Sequence, residues 1–382
     1  MRRTPDSIST STSWSATVGI RYSSRCGVGA SCHPRPVAPP GPLGWIRKSR
    51  RAGARGPARF PVVTPAPTAS FPRADTEERF RALTPEQLLG PVTGLVAALG
   101  HGGARIDRFT EGSLPVYAVG ETLVLKLYPP VHGTELAVES GVLRALHATL
   151  AVPTPRVRDS GVRDGWGFLL MTRLPGRSLE SVWPELSTSD RGRLADRLGR
   201  TLAALHRTEA PVLETLEPAN WQEWIAGQRR TAAERQRRAG TPETWVEQIP
   251  GFLDSVDLGD PVPGLLHTEC MREHVMMRYE NGEWNASGLF DFEPAMRGAP
   301  EYDFAAVGLF VSCGDAAFLR ALLLSYGYAP GELGVEFSRR CLAYTLLHRY
   351  SNLRWYLDVL PAPPEPVLDS LALTWWGTGT AE

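Results

Sequence analysis

The chain has 382 residues, 41 basic and 41 acidic, and 42% of it is apolar. No run of about 18 apolar residues occurs, which excludes a helical membrane span. The five cysteines (Cys26, Cys32, Cys270, Cys313, Cys341) are odd in number and lack a Cys-x-x-Cys spacing, the usage expected of reduced thiols in a cytoplasmic protein.

The charge is unevenly placed. Residues 1–73 hold twelve Arg or Lys and one acid, Asp6; the remainder holds 29 basic and 40 acidic residues, a net charge of −11. The first segment is rich in Arg, Ser, Pro and Gly, cannot bury enough apolar surface to offset its chain entropy, and reads as a disordered basic tail. It lacks the apolar core of a secretory signal. Its composition suits a transit peptide or a stretch upstream of the true start, with phosphate-backbone binding as a further alternative.

The remaining ~300 residues suit two lobes around one site. Thr84-Pro85-Glu86-Gln87 supplies a cap, a first-turn Pro and a capping-box partner, so a helix starts at Thr84 and stops at Gly100. Short alternating segments at Ile106–Thr110, Val116–Val119 and Thr122–Tyr128 predict an antiparallel meander. A helix over Glu135–Leu150 and strands near Arg156–Ser160 and Gly167–Thr172 complete a small sheet with one helix. Lys126 is one of only two lysines, the other being Lys48, and it lies inside the apolar strand Leu123–Leu127. It is either a sheet-edge charge that discourages aggregation or a point charge wanted for binding. The strand Phe168–Met171 runs through Thr172 and Leu174 into Pro175-Gly176, a turn signal.

The rest is mainly helical. Ser187-Thr188-Ser189-Asp190 starts a helix carrying Leu194, Leu198, Leu202 and Leu205, and Asn220–Arg238 is an Arg-rich helix with a solvated face. Later helices are expected near Asp303–Val311, Ala316–Tyr326, Val335–Leu360 and Pro366–Trp375, with Trp355, Tyr356, Trp375 and Trp376 as core.

Between the two halves of this helical region lies the candidate site. Asn281-Gly282 is a two-residue hairpin signal, because a type I′ turn needs positive φ at both central positions. Folding about it pairs Tyr279 with Trp284 and, if the register continues, Arg272 with Asp291. The open end then gathers His267, Glu269, Glu273, His274, Asp291 and Glu293, a density of ionisable groups that would be costly to bury without a role. Asp291 and Glu293, two apart on one strand, face the same side. A zinc site from His267, Cys270 and His274 requires those three to share a helical face.

His267-x-Glu269, His274, the hairpin, Asp291-Phe292-Glu293 and Pro300-x-x-Asp303-Phe304-Ala305 together resemble the aminoglycoside phosphotransferase family, nearest to its hygromycin B kinases, over roughly residues 84 to 376. The resemblance implies an α+β, bilobal protein-kinase-like fold: an N-lobe at 84–172 with a small antiparallel sheet, which binds nucleotide, and a mainly helical C-lobe at 173–382, which carries catalysis and substrate. It places His267 on the family His and Glu269 on the catalytic Asp. His274 falls on the metal-binding Asn and Asp291 on the metal-binding Asp, with Glu293 replacing a Gly and able to supply an oxygen. Lys126 falls on the phosphate-contacting Lys and Glu139 on its partner, while the backbone of Thr172 and Leu174 falls on the adenine-reading hinge. The implied cofactors are ATP and Mg²⁺, and the implied reaction is phosphoryl transfer to a hydroxyl of an aminoglycoside-like or other amino-alcohol acceptor. Nucleic acid and membrane are not among the expected partners. Glu269 and His274 depart from the family's residues, which leaves a nucleotide-binding pseudokinase as the alternative.

Overall fold

The computed structural model describes residues 69–379. The expectations for residues 1–68 lie outside the described residues. Residues 69–73, assigned above to the tail, belong instead to the folded N-lobe. Phe71 stacks on Trp166 with ring centroids 5.5 Å apart, the Trp166 indole N–H donates to the Pro72 carbonyl at 2.7 Å, and Val131 N–H donates to the Ala74 carbonyl at 3.2 Å. A short helix α1 (Glu77–Arg81) follows, capped by Thr76.

Helix α2 (Pro85–Val96) starts as its sequence dictates, the Gln87 side chain accepting from Thr84 N–H at 2.8 Å. It ends in a wide turn closed by Gly100 at φ +86°, a conformation glycine adopts without a Cβ penalty. Five strands then form one antiparallel sheet: β1 (Ile106–Arg108), β2 (Val116–Val119), β3 (Leu123–Tyr128), β4 (Val157–Arg163) and β5 (Trp166–Thr172), in the order β1-β2-β3-β5-β4. Helix α3 (Gly133–Ala145) connects β3 to β4 and is one turn shorter than its apolar pattern suggested.

Strand periodicity decides which way β3 aims its side chains. Leu125 and Leu127 enter a core with Phe71, Leu88, Val92, Trp166 and Phe168 beneath α2, whereas Tyr128 joins a core with Val142, Leu143 and Leu169 that continues into the C-lobe. Lys126 alternates with those leucines and therefore faces α3 and the C-lobe. It pairs with Val116 on one side and Leu169 on the other, in the middle of the sheet, so the sheet-edge reading does not hold.

The C-lobe contains β6 (Arg177–Ser178), α4 (Leu179–Val182), α5 (Thr188–His206), α6 (Trp221–Arg238), α7 (Glu243–Val246), α8 (Ile249–Ser255), β7 (Gly264–Leu266), β8 (Val275–Glu280), β9 (Glu283–Leu289), β10 (Met296–Gly298), α9 (Asp303–Ala306), α10 (Ala316–Tyr326), α11 (Val335–Leu347), α12 (Leu353–Val359) and α13 (Leu368–Trp376). Helix α5 has the expected Ser187 cap and packs on α10 so closely that a Cβ at Gly199 would lie 2.2 Å from the Leu322 carbonyl oxygen. Tyr356, Trp375 and Trp376 are buried as expected; Trp355 is half-buried against Phe310.

The single helix expected over Val335–Leu360 is two helices. The Arg235 guanidinium on α6 donates to the carbonyls of Leu346 and His348, and Arg349 N–H donates to the Tyr302 hydroxyl at 2.9 Å. These partners satisfy the end of α11 and turn the chain aside there, a long-range effect that apolar spacing does not report.

The N-terminal boundary yields a direct test. A chain beginning at Asp75 loses the buried Phe71 side chain, and burial of one such ring contributes about 1.5–3 kcal/mol. Its melting temperature is expected several degrees below that of a chain beginning at Ala69. Equal melting temperatures by differential scanning calorimetry would show that residues 69–74 are not part of the folded unit.

Candidate active site

Strands β7 and β10 pair antiparallel, with Leu266 opposite Met296, so the segments that follow β7 and precede β10 emerge side by side. The β8–β9 hairpin lies between them in sequence. Asn281 and Gly282 have φ of +55° and +84°, the positive pair a type I′ turn requires. Tyr279 pairs with Trp284 as expected, but a bulge between Met276 and Met277 shifts the register, so Val275 pairs with Leu289 and the ladder ends there. Arg272 therefore does not face Asp291. It is buried, its guanidinium 3.5 Å from the Trp183 ring centroid and its Nε donating to the Val311 carbonyl. The bulge absorbs one residue, which no periodicity in the hairpin announces.

The loop after β7 is held by one buried carboxylate. Asp303, at the start of α9, accepts from His267 N–H at 2.9 Å and Thr268 N–H at 2.6 Å, and its Oδ2 lies 3.0 Å from His206 Nε2. Burial opposes its charge, but the bond from His206 and these neighbours hold its acid below the ordinary value. Thr268 sits at φ +67°, a strained position for a β-branched residue, and its hydroxyl donates to the Pro294 carbonyl at 3.1 Å. His267 is fully buried with both ring nitrogens engaged. Glu269 N–H donates to Nδ1 at 3.3 Å, and Nε2 donates to the Phe290 carbonyl at 3.0 Å. Burial pushes its acid down to about 4, so it is neutral, and its two ring nitrogens tie the loop to the Phe290 carbonyl and the Glu269 N–H.

Asp291 lies beyond the end of β9 at φ +73°, so it and Glu293 do not share a strand and strand alternation does not relate them. The two carboxylates nevertheless converge on Lys126. Its ammonium is 2.6 Å from Asp291 Oδ1 and 2.9 Å from Glu139 Oε2, and it also contacts Glu293. Lys126 and Glu139 are 4% and 1% exposed, and the Tyr128 hydroxyl donates to Glu139. The Glu139 carboxylate thus faces inward, not toward solvent. Burial raises the acid of both Asp291 and Glu293. For Asp291 the Lys126 ammonium outweighs this and keeps it ionised; for Glu293 burial wins and the acid is raised.

On the other side of Asp291, His274 Nε2 is 3.2 Å from Oδ2 and Nδ1 is 2.8 Å from the Glu269 carbonyl. Glu269 is half-buried, and burial raises its acid. Two groups of side chains offer ligand atoms within 4.8 Å of one another among the described residues: Glu269, His274 and Asp291, and Glu139, Asp291 and Glu293. Asp291 belongs to both. Glu293 is on the Lys126 side and is not in the group that contains His274. The zinc arrangement does not form, because residues 267–271 are loop, not helix, and burial raises the buried Cys270 thiol far above its usual range. Glu273 lies apart, near Glu180; burial and that neighbour raise its acid.

Residues 105–337 match the phosphotransferase enzyme family. The chain belongs to that family. No curated protein matches it by sequence. Among solved structures, the GDP and kanamycin complex of APH(2″)-IIIa matches with a TM-score of 0.58 and 18% identity over 71% of this chain and 94% of that one. An ADP-bound aminoglycoside phosphotransferase, APH(2″)-Ib, matches with a TM-score of 0.52 and 16% identity over 74% and 97%. The streptomycin–ATP complex of APH(2″)-IIa matches with a TM-score of 0.50 and 17% identity over 66% and 88%. The fold is thus the bilobal kinase-like one, and the protein is a small-molecule phosphotransferase that transfers phosphate to a hydroxyl acceptor. Family membership does not support the pseudokinase alternative.

In this phosphotransferase, Lys126 and Glu139 from the N-lobe meet Asp291 and Glu293 from the C-lobe, and Glu269 and His274 adjoin the same Asp291. Thr172 and Leu174 stand on the connection between lobes. Thr172 N–H is already used, donating to the Arg156 carbonyl at 2.9 Å, and the Leu174 side chain packs over Gly288 of β9. Sequence reasoning missed His206, whose ring bridges Asp303 and the Tyr326 hydroxyl, because its partners lie about a hundred residues away. It also missed Arg349, which donates to the Pro294 carbonyl and lies close enough to Glu269 to favour its charge.

Two expectations follow from the electrostatics of the site. Breaking one partner out of a buried ionic group typically costs about 3–5 kcal/mol, so Lys126→Ala is expected to lower the unfolding free energy by that order as well as to weaken nucleotide binding. Adding Glu139→Gln should recover part of the loss, since it removes the buried carboxylate left without its ammonium partner. Urea titrations showing Lys126→Ala as stable as the parent would contradict the reading. The second concerns pH. Burial depresses His267 to about 4 and His348 to about 3, against an ordinary value of 6.5. Between those values the unfolded chain binds more protons than the folded one, so stability falls as the pH drops below about 6.5. Each imidazole contributes a slope of up to about 1.4 kcal/mol per pH unit. His267→Gln should flatten the dependence measured from pH 7 to pH 5.

Proposed function

We propose that the protein is an ATP-dependent kinase of a small polycationic alcohol, an aminoglycoside or another amino alcohol. The observation that carries this reading is the buried Lys126–Glu139 pair, whose ammonium also holds Asp291 at 2.6 Å. It is the arrangement that positions phosphates in kinase-like phosphotransferases. The adenine edge would meet the backbone carbonyl of Thr172 and N–H of Leu174. The net charge of −11 over residues 74–382 favours a polycationic acceptor electrostatically. Two described cysteines, Cys270 and Cys341, are free thiols, and no helix among the described residues is long and apolar enough to cross a membrane. Both facts accord with a cytoplasmic enzyme.

In the reaction, the acceptor hydroxyl gives its proton to the Glu269 carboxylate as its oxygen forms a bond to the γ-phosphorus. The bond from that phosphorus to the β,γ-bridging oxygen breaks, and ADP leaves. Burial raises the Glu269 acid toward the working pH, which suits proton acceptance better than an ordinary carboxylate does. Lys126 neutralises phosphate charge, and Glu139 holds Lys126 in place. A divalent ion, Mg²⁺ in the ordinary case, would be held by Asp291 and would offset charge on the β- and γ-oxygens. Asp291 fits that role because its second oxygen, Oδ2, faces away from Lys126 toward His274.

The test is ADP release with ATP against a panel of aminoglycosides and amino alcohols. Glu269→Gln is expected to lose turnover by at least about a hundredfold, the scale of general-base catalysis, while keeping the nucleotide-dependent rise in melting temperature. ATP binding without ADP release from the parent with any acceptor would overturn the proposal.

A further inference from the structure

His274 stands where the resemblance places a metal-binding Asn, and the surrounding hydrogen bonds fix its tautomer. Nδ1 is 2.8 Å from the backbone oxygen of Glu269, an acceptor with no proton of its own, so Nδ1 carries the hydrogen. In the neutral ring Nε2 is then a bare lone pair, and it faces Asp291 Oδ2 at 3.2 Å. Two acceptors at that distance repel unless a cation lies against both. The Glu269 carboxylate reaches the same place, its oxygen within 4.8 Å of the ligand atoms of His274 and Asp291.

We propose that His274 Nε2 and Asp291 Oδ2 jointly bind a divalent ion, and that the imidazole makes this site prefer Mn²⁺ to Mg²⁺. Mg²⁺ is hard, demands a near-octahedral oxygen shell and takes imidazole poorly. A first-row transition ion accepts the nitrogen, and Mn²⁺ is the one that also suits the carboxylate and phosphate oxygens that complete the shell. The inference rests on the phosphotransferase reading for the role of the ion, but not for its ligands. Glu293 takes no part, since it lies with Lys126 and Glu139 on the opposite side of Asp291.

The experiment uses the full chain with Mn²⁺ and ADP, observed by pulsed electron paramagnetic resonance. The parent should show nitrogen modulation from a coordinated imidazole, changing on ¹⁵N-histidine labelling and disappearing in His274→Asn. His267, the neighbouring imidazole, is no alternative source, because both its nitrogens are engaged. Competition calorimetry should give the parent a preference for Mn²⁺ over Mg²⁺ at least about tenfold greater than that of His274→Asn, given the ligand change from imidazole to amide oxygen. Bound Mn²⁺ without nitrogen coupling would overturn the proposal and leave His274 as an imidazolium donating to Asp291. An unchanged metal preference in His274→Asn would overturn it equally. If His274→Asn does not fold, the labelled parent alone decides. ADP release is measured separately in either metal, so loss of the kinase reading and loss of this inference give different results.

Discussion

One ammonium group joins the two lobes. Lys126 comes from the central strand of the N-lobe sheet, Glu139 from the helix packed beside it, and Asp291 and Glu293 from the C-lobe segment after the hairpin. With all three carboxylates ionised, the cluster would carry more negative than positive charge away from water, and burial answers this by raising the Glu293 acid. The arrangement remains poised for further positive charge. That is the electrostatic condition a site for a nucleotide and its cation requires, and the lobes are held together by the same group that would contact phosphate.

The geometry around this cluster is maintained at some local cost. Thr268 and Asp291 both have positive φ, at +67° and +73°, and such positions cost of order 1–3 kcal/mol each. The loop that contains Thr268 is over-determined: Asp303 receives two of its backbone N–H groups, Pro294 receives its hydroxyl, and His206 and Tyr326 fix Asp303 in turn. Asp291 is fixed by the groups on either side of it, Lys126 and His274. Strain and support both converge on the residues that hold Glu269 and Asp291 in place.

Much of this was legible in the sequence because it is written locally. The Thr84 and Ser187 caps, the Asn281-Gly282 turn and the alternation in β3 each act within a few residues. The rarity of lysine in an arginine-based chain singled out Lys126, and its partner Glu139 followed from the resemblance. What was not legible depends on distant partners. The bulge that displaces Arg272 from Asp291, the break in the last long helix imposed by Arg235, and the embrace of Asp303 by His206 have no short-range signature. The placing of Glu293 is instructive in the same way. Its convergence with Asp291 was expected from strand alternation and arises instead from a left-handed turn at Asp291.

The scarcity of lysine has a practical side. The chain contains only Lys48 and Lys126, and Lys126 is 4% exposed. An amine-selective reagent arriving from bulk solvent meets a buried ammonium locked by three carboxylates. On the proposed role of Lys126, a reactive acyl group carried on a nucleotide phosphate would be delivered to that amine by binding itself. Peptide mapping after such labelling would therefore report occupancy of that site as modification at Lys126, the one lysine among the described residues.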